Sequence, residues 1–261
     1  MSNFSIGIFD SGVGGLSVFK ELMLKLPNEN VIYFADSKNC PYGIRTKDEI
    51  IKFSVKAVEF LIQKKCKVII VACNTATAAA IDYLRQHYPI PFIGMEPAVK
   101  PASLKSKTRS IAVLATEGTF NGRLFKETSN KYAKDIDLNV KVGNKLVSIV
   151  ENDLINDSES IEYIKTLIQP LIEKNIDYLV LGCTHYPFLI PILQKILPRN
   201  INIVNPAPAV IEQAKRILMK KSMLNNSEDK AFYEFYSSGD INILERMVFE
   251  IAGEKIDIIK L

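Results

Sequence analysis

Residues 68–77 read VIIVACNTAT and residues 178–185 read YLVLGCTH, and the two stretches share one pattern. Each is a short run of apolar residues that ends in a small residue, a cysteine and then a polar segment with threonine. A run that is too short for a helix and bounded by polar residues predicts a strand buried on both faces of a parallel sheet. Cys73 and Cys183 are therefore expected at the carboxyl ends of two central strands, the edge at which α/β sheets bind ligands.

Each of the two cysteines precedes a segment that favours a helix. After Cys73, either Asn74 or Thr75 suits the N-cap position, and after Cys183, Pro187 suits a first helical turn. The positive end of a helix dipole lowers the pKa of a nearby cysteine, so we expect both thiols to ionise readily. A single cysteine in an apolar context is more often an inert core residue, but the duplicated pattern favours chemistry at both positions.

The order of the predicted elements indicates the fold class. Strand and helix patterns alternate nearly throughout, which predicts an α/β fold with mainly parallel sheets flanked by helices. The two widely separated cysteine strands suggest two similar lobes, and chain ends tend to lie together on one domain. We therefore expect a discontinuous first domain of residues 1–97 plus 208–261, a second domain of residues 98–207, and an active site in the cleft between them.

Four further segments complete this prediction. Residues 96–110 contain two prolines, and the segment shows little apolar periodicity at its end, so it is the expected crossing between the domains. We predict one helix over about residues 119–133 and helical structure over about residues 145–174. The polar residues 221–230 are predicted as a loop.

Composition limits the kinds of function. Of the 261 residues, 48% are hydrophobic and 24% are charged, as in ordinary globular proteins, and no apolar run is long enough for a membrane span. The N-terminal MSNFSIGIFD has no basic region, so no signal peptide and a cytoplasmic location are expected. The net charge of +4 comes with lysines spread over the chain, which does not favour nucleic-acid binding.

The four cysteines are Cys40, Cys66, Cys73 and Cys183. They show no CxxC pairing, and together with His87 and His185 they give none of the short ligand spacings of a zinc site. Free thiols in a reducing compartment therefore fit better than disulfides or a metal site. Cys40 and Cys66 lack the strand-then-helix context, and we interpret them as structural.

The motif DSGVGG (10–15) directly follows the first predicted strand and opens a helix. It lacks the third glycine of a dinucleotide fingerprint and the lysine of a P-loop. The remaining interpretation is a tight turn whose backbone N–H groups can hold an anion such as a carboxylate. Asp10 is then either a turn or cap residue or an acid/base assistant. His185, in the same loop as Cys183, can tune or protonate a thiolate.

Two thiols at the rims of two facing half-sheets suggest inversion of a carbon centre. One group removes a proton from one face, and the other delivers a proton to the opposite face. Nucleophilic Cys–His catalysis needs one cysteine, and a disulfide exchanger places two in a CxxC motif. A small-molecule binding protein, in which thiol ionisation has no role, is the non-enzyme alternative.

Six motifs, in this order and spacing, resemble those of the glutamate racemase family over essentially the whole chain: DSGVGG (10–15), PYG (41–43), ACNTAT (72–77), EPAVKPA (96–102), GCTHYP (182–187) and SGD (238–240). The resemblance implies cofactor-independent interconversion of L- and D-glutamate, which supplies D-glutamate for bacterial peptidoglycan. The cysteine motifs alone are shared with the wider aspartate/glutamate racemase group. A racemase of aspartate or of another acidic amino acid is therefore the alternative.

The resemblance also implies roles for individual residues. Cys73 and Cys183 would be the two acid/base residues, the first acting on D-glutamate and the second on L-glutamate, with no cofactor and no metal. Asp10, His185 and Glu151 would assist them. The implied substrate contacts are Asp10, Ser11, Tyr42, Gly43, Asn74, Thr75, Thr184 and His185, with Thr116 and Thr119 as additions from the second domain.

The sequence also bears on regulation and assembly. The chain begins four residues before its first predicted strand. It is therefore expected to lack the N-terminal extension of family members that depend on a cell-wall-precursor activator. The oligomeric state stays open, with a homodimer as one option.

Overall fold

The computed structural model describes residues 3–227 and 229–261. Its strands are β1 (Ile6–Asp10), β2 (Val31–Ala35), β3 (Val68–Val71), β4 (Phe92–Gly94), β5 (Ser110–Ala115), β6 (Asp137–Val142), β7 (Tyr178–Gly182), β8 (Asn202–Val204), β9 (Tyr233–Ser237) and β10 (Ile258–Lys260). Its α-helices are α1 (Leu16–Lys25), α2 (Lys47–Gln63), α3 (Asn74–His87), α4 (Val99–Lys105), α5 (Glu117–Asn121), α6 (Arg123–Tyr132), α7 (Asn144–Glu151), α8 (Ser158–Ile172), α9 (Ile190–Ile196), α10 (Ala207–Lys220) and α11 (Asn242–Ala252). Short 3₁₀ helices span Ser37–Asn39, Tyr42–Ile44 and Tyr186–Leu189.

The strands form two parallel sheets, one of six strands in the order β10-β9-β2-β1-β3-β4 and one of four in the order β6-β5-β7-β8. Both cysteine-bearing segments end interior strands. Every residue of β3 is buried, and so is every residue of β7 except the first. The predicted α/β class, with parallel sheets flanked by helices, is confirmed.

The distribution of strands agrees with a discontinuous first unit. The strands of residues 1–97 and 208–261 lie in the six-stranded sheet, and those of residues 98–207 form the four-stranded sheet. The domain boundaries themselves remain a prediction. Residues 1 and 2 of the predicted first domain, and residue 228 of the predicted loop, lie outside the described residues.

One apolar cluster contains side chains from both sheets. Ile8 of β1 and Ile70 of β3 belong to the same buried cluster as Leu114 of β5 and Leu181 of β7, and all four are fully buried. Because burial of apolar surface is the main favourable term in folding, this shared core holds the two sheets together.

Two predicted helices are interrupted. The helix predicted over 119–133 divides at Gly122, whose extended backbone (φ −65°, ψ 144°) separates α5 from α6. A Cβ at Gly122 would come within 2.6 Å of Ala78 Cβ, so the interruption lets this segment pack closely on α3. The helix predicted over 145–174 ends at Glu151, and Asp153 has a positive φ of 59°. Asp157 then caps α8 by accepting hydrogen bonds from Glu159 N and Ser160 N.

The predicted crossing at 96–110 is partly helical. It contains α4, whose Val99, Ala102 and Ser103 are buried. Prolines before and inside α4 interrupt its apolar periodicity, so the sequence pattern did not predict this short helix. Within the described residues, no helix is long and apolar enough to cross a membrane.

A buried ion pair stabilises the six-stranded unit. Glu29 Oε2 lies 2.5 Å from Lys67 Nζ, and both side chains are almost fully buried. Glu29 Oε1 also accepts a hydrogen bond from Asn225 N at 2.9 Å, which ties the segment after α10 to the N-terminal part of the chain.

Replacement of Lys67 by Met should lower the free energy of unfolding by about 3–5 kcal/mol, because the Glu29 carboxylate would stay buried without its counter-charge. The matched control is Lys230→Met, which removes an exposed pair with Glu254 and should change the same quantity by about 0–1 kcal/mol. Urea denaturation gives both values. Equal losses in the two variants would contradict this account.

Candidate active site

Cys73 lies between β3 and α3 and serves as the N-cap of α3, the position expected for Asn74 or Thr75. Its Sγ accepts a hydrogen bond from Ala76 N at 3.4 Å, and its thiol donates to Ser11 Oγ at 3.7 Å. Burial raises the pKa of Cys73 to about 12, the nearby Asp10 carboxylate adds to the increase, and the Ala76 N–H opposes it. The expectation of a readily ionised thiol is therefore wrong here, because burial outweighs the helix dipole.

Cys183 lies at the end of β7 in the other sheet and is 6% exposed. Its Sγ is 3.6 Å from His185 Nδ1. The chain then enters the 3₁₀ helix Tyr186–Leu189, with Pro187 in the first turn as predicted, and continues into α9. An imidazole N–H at this position can donate a hydrogen bond to a thiolate.

His185 and Glu151 form a buried pair behind Cys183. Glu151 Oε1 lies 2.6 Å from His185 Nε2. Burial opposes the imidazolium, but contacts with Cys183, Cys40 and Glu151 raise the pKa of His185 above its ordinary value. Burial opposes the Glu151 carboxylate as well, but the hydrogen bond and charge of His185 bring its pKa below the usual value. Both shifts favour an imidazolium facing a carboxylate.

The DSGVGG turn holds this carboxylate. Val13 N donates a hydrogen bond to Glu151 Oε1 at 2.8 Å. A Cβ on Gly12 would clash with the same oxygen, and a Cβ on Gly14 would lie 2.4 Å from His185 Nδ1. The glycines are thus required by the close approach of the turn to the pair, and the predicted anion is a side chain of the protein itself.

Asp10 is fully buried below this turn. It accepts hydrogen bonds from Thr184 Oγ1 at 3.0 Å and from Gly12 N at 2.9 Å. Burial raises the pKa of Asp10, and the positive charge of His185 opposes the increase. Asp10 thus fixes Thr184 and the glycine turn in place.

Both cysteines line one small cavity between the sheets. Its lining residues are Ser11, Pro41, Tyr42, Gly43, Cys73, Asn74, Thr75, Thr116, Val147, Cys183, Thr184 and His185. The cavity has about 10 Å³ of free volume, which is room for roughly one water molecule. An amino acid can enter only if its walls move apart.

Most of the predicted site residues therefore meet at this cavity, and three do not line it. Asp10 and Glu151 lie behind Thr184 and His185. Thr119 lies behind Thr116, with 3.0 Å between the hydroxyl oxygens, and Thr116 in turn contacts Thr75 Oγ1 at 2.8 Å. This row of hydroxyl groups joins α3 to the end of β5.

Sequence reasoning missed how Tyr42 is positioned. The Tyr42 hydroxyl donates to Asp36 Oδ2 at 2.6 Å, and the Ser238 hydroxyl donates to Asp36 Oδ1 at 2.7 Å. Ser238 belongs to the SGD motif, which therefore supports the cavity wall from the C-terminal part of the chain. The SGD motif was the only sequence feature that indicated this support, because the residues around Asp36 form no distinctive motif.

Cys40 was interpreted as structural, and the structure places it beside the pair. Its Sγ, a Glu151 oxygen and a His185 ring nitrogen all lie within 4.8 Å of one another. Burial raises the pKa of the Cys40 thiol to about 11. Cys66, in contrast, packs among apolar residues near Gly7 and Leu61, as a structural cysteine should.

In a Glu151→Gln variant, the imidazolium of His185 loses the carboxylate that faces Nε2, so the pKa of His185 should fall. NMR titration of ¹⁵N-labelled histidine measures this change, and a His87→Gln variant identifies the signals of the second histidine. An unchanged or raised His185 pKa in Glu151→Gln would exclude the ion pair.

The same variant should change how stability depends on pH. Because the folded pKa of His185 lies above about 6.5, its pairing contributes stability that is complete below about pH 6.5 and is lost as the pH rises through the folded value. On the acid side, the contribution is lost as the pH falls through the lowered pKa of Glu151. The difference in unfolding free energy between wild type and Glu151→Gln should therefore shrink at both extremes.

The chain is similar to known proteins over nearly its whole length. The family model of Asp/Glu/Hydantoin racemases matches residues 16–214. A glutamate racemase of Clostridium botulinum is 41% identical over 256 residues, which cover 98% of each chain. The crystal structure of a glutamate racemase isoform from Bacillus anthracis has a TM-score of 0.90 at 31% identity, over 100% of this chain and 98% of that one.

A second solved structure was determined with a ligand. Glutamate racemase from Francisella tularensis, in complex with D-glutamate, has a TM-score of 0.86 at 30% identity and covers 100% of this chain and 98% of its own. Sequence and fold thus agree across both sheets and across the segments that carry the two cysteines. The protein belongs to the Asp/Glu/Hydantoin racemase family.

Proposed function

We propose that the protein interconverts L- and D-glutamate by moving one proton at the α carbon, with no cofactor. The observation that carries this proposal is the meeting of Cys73 and Cys183, each from the end of an interior strand of a different sheet, at one small cavity. The glutamate racemases of Clostridium botulinum and Herpetosiphon aurantiacus, at 41% and 39% identity, support glutamate as the substrate.

The proposed reaction uses one thiolate and one thiol. With L-glutamate, the Cys183 thiolate removes the α proton, and the Cys73 thiol gives its proton to the opposite face of the carbon. Cys183 ends as a thiol and Cys73 as a thiolate, so the reverse reaction begins from D-glutamate at Cys73. A Cys73 pKa of about 12 fits this scheme, since the free enzyme then holds a proton on Cys73 that it can donate.

The assisting groups differ between the two sides. We assign His185, oriented by Glu151, to Cys183, because its Nδ1 lies 3.6 Å from that sulfur. We assign Asp10 to Cys73, because Ser11, the residue after Asp10, contacts the Cys73 sulfur at 3.7 Å. Asp10 acts through the buried turn, and no contact between its oxygens and the cavity is needed.

Neutral donors and acceptors in the cavity wall are proposed to bind the substrate. The N-terminus of α3 and the hydroxyls of Ser11, Thr75 and Thr184 offer donors for the carboxylates. Asn74 Oδ1 is buried and has no hydrogen-bond partner among the described residues. Because an unpaired buried acceptor is costly, this oxygen is suited to accept from the substrate ammonium group. Tyr42, Gly43 and Thr116 complete the wall, with Thr119 behind it.

The proposed role in the cell is supply of D-glutamate for peptidoglycan in the cytoplasm. All four cysteines are free, which fits a reducing compartment. A homodimer, which the sequence leaves open, is not needed for this chemistry, since both thiols come from one chain.

The substrate is tested by circular dichroism with separate solutions of D-glutamate and D-aspartate. The optical signal of D-glutamate should decay to zero, and the signal of D-aspartate should decay far more slowly. In ²H₂O, the racemised glutamate should carry deuterium at the α carbon. Faster loss of the aspartate signal would favour the alternative substrate, and absence of turnover with both would favour a binding protein.

Cys73→Ser and Cys183→Ser should each lower the racemisation rate by about 10²–10⁴, which is roughly 3–5.5 kcal/mol of barrier. Each variant keeps one thiol, so each should still eliminate a good leaving group from the carbon next to the α carbon, with opposite enantiomer preference. Cys66→Ser is the matched control and should keep full activity. The same enantiomer preference in both variants would exclude the two-base assignment.

A further inference from the structure

Cys40, Glu151 and His185 bring a thiol, a carboxylate and an imidazole together from three distant parts of the chain. Cys40 follows the 3₁₀ helix Ser37–Asn39, Glu151 ends α7, and His185 follows β7. One ligand-type atom from each lies within 4.8 Å of the other two. His185 lines the cavity between the two thiols, whereas Cys40 and Glu151 do not, so the group adjoins the proposed active site and shares one residue with it.

The donor set matches a borderline-soft divalent cation. Zn²⁺ binds Cys sulfur at about 2.3 Å, His nitrogen at about 2.0–2.1 Å and carboxylate oxygen at about 2.0–2.2 Å, and three protein ligands with one open position are a common arrangement. Tetrahedral bonds of these lengths place ligand atoms roughly 3.3–3.7 Å apart, so small side-chain movements convert the observed group into a metal site. A thiolate ligand disfavours Mg²⁺ and Ca²⁺, which prefer oxygen.

The positions of the three donors are already constrained. Glu151 Oε1 is held by Val13 N at 2.8 Å and faces His185 Nε2 at 2.6 Å. Cys40 N donates to Ser37 O at 3.3 Å. Ordered ligands lose little conformational entropy when they bind an ion.

The group has a second side, away from the cavity between the two thiols. Glu151 also lines a second, open cavity of about 450 Å³ between α7 and α11, together with Ser37, Asp240 and Arg246. Cys40 is itself only partly buried. The group therefore lies between bulk water on one side and the Cys183 thiol on the other.

We propose that Cys40, Glu151 and His185 form an inhibitory binding site for Zn²⁺ or a cation of similar chemistry. On binding, the Cys40 thiol releases its proton to solvent, and the sulfur, a Glu151 oxygen and an unprotonated His185 ring nitrogen bind the metal. His185 then carries the charge of a metal complex in a fixed orientation and no longer exchanges a proton beside Cys183. The binding step rests on the geometry alone, and the inhibition rests on the proposed function of His185.

Calorimetric titration of EDTA-treated, dialysed enzyme with ZnCl₂ tests the binding step. One equivalent should bind to wild type and to the matched control Cys66→Ser with equal affinity. Cys40→Ser and Cys40→Ala should weaken binding by more than tenfold, since even changes behind a metal ligand cost about 10–100-fold. With CoCl₂, the wild-type complex should show a thiolate-to-cobalt charge-transfer band that both Cys40 variants lack.

The inhibition is measured separately as racemisation against Zn²⁺ concentration, with each variant normalised to its own metal-free rate. Wild type and Cys66→Ser should lose activity over the range in which calorimetry shows binding, and the Cys40 variants should need more than tenfold more metal. Binding that survives in the Cys40 variants and is lost in Cys183→Ser would place the metal at the two thiols and overturn the site. Stoichiometric binding without inhibition would support the metal site and would contradict the proposed role of His185 in the reaction.

Discussion

Removal of the Cys73 thiol from water is the constraint on which the rest of the site depends. At the carboxyl end of β3, under the edge of a second sheet, a thiolate has lost its hydration and its pKa rises to about 12. Such a thiol holds its proton at neutral pH, and once ionised it is a stronger base than an exposed cysteine. The proposed proton removal from carbon requires a strong base, and the burial of Cys73 provides basicity that an exposed helix N-terminus would lower.

The two cysteines have similar sequences and different surroundings. Cys73 contacts neutral groups, Ser11 Oγ and Ala76 N, whereas Cys183 lies against a charged pair of His185 and Glu151. A reaction that starts from one thiolate and one thiol needs such a difference, because two identical environments would favour the same protonation state in both. The asymmetry arises from the DSGVGG turn, whose Val13 N–H fixes the carboxylate that orients the histidine.

The parts of this arrangement that depend on local sequence could be predicted. The apolar runs of β3 and β7 identify buried strands, and the residues that follow them identify the reactive edge. Pro187, expected in a first helical turn, is found there. In each case, a few consecutive residues determine the outcome.

The parts that depend on residues far apart in the chain could not be predicted. Cys40, Glu151 and His185 meet only through the packing of both sheets, and a search for metal sites by short spacing passes over them. The sign of the Cys73 pKa shift depends on how many atoms surround the sulfur, which a helix-start pattern does not contain. The helix break after Glu151 is set by Asp153 and Asp157, in a segment whose apolar periodicity continues on both sides.

Substrate entry requires some of the contacts between the sheets to open while others stay closed. The cavity is too small for an amino acid, so contacts between its walls, such as the buried hydroxyl contact of Thr75 with Thr116, must open. Each such hydrogen bond contributes only about 1 kcal/mol net, because water replaces the lost partner. The deeper contacts, Thr184 Oγ1 to Asp10 and Ser17 Oγ to the Thr184 carbonyl, are buried together with the apolar cluster that both sheets share. Breaking these would expose polar atoms and the apolar core together, so we expect them to stay closed while the walls of the cavity separate.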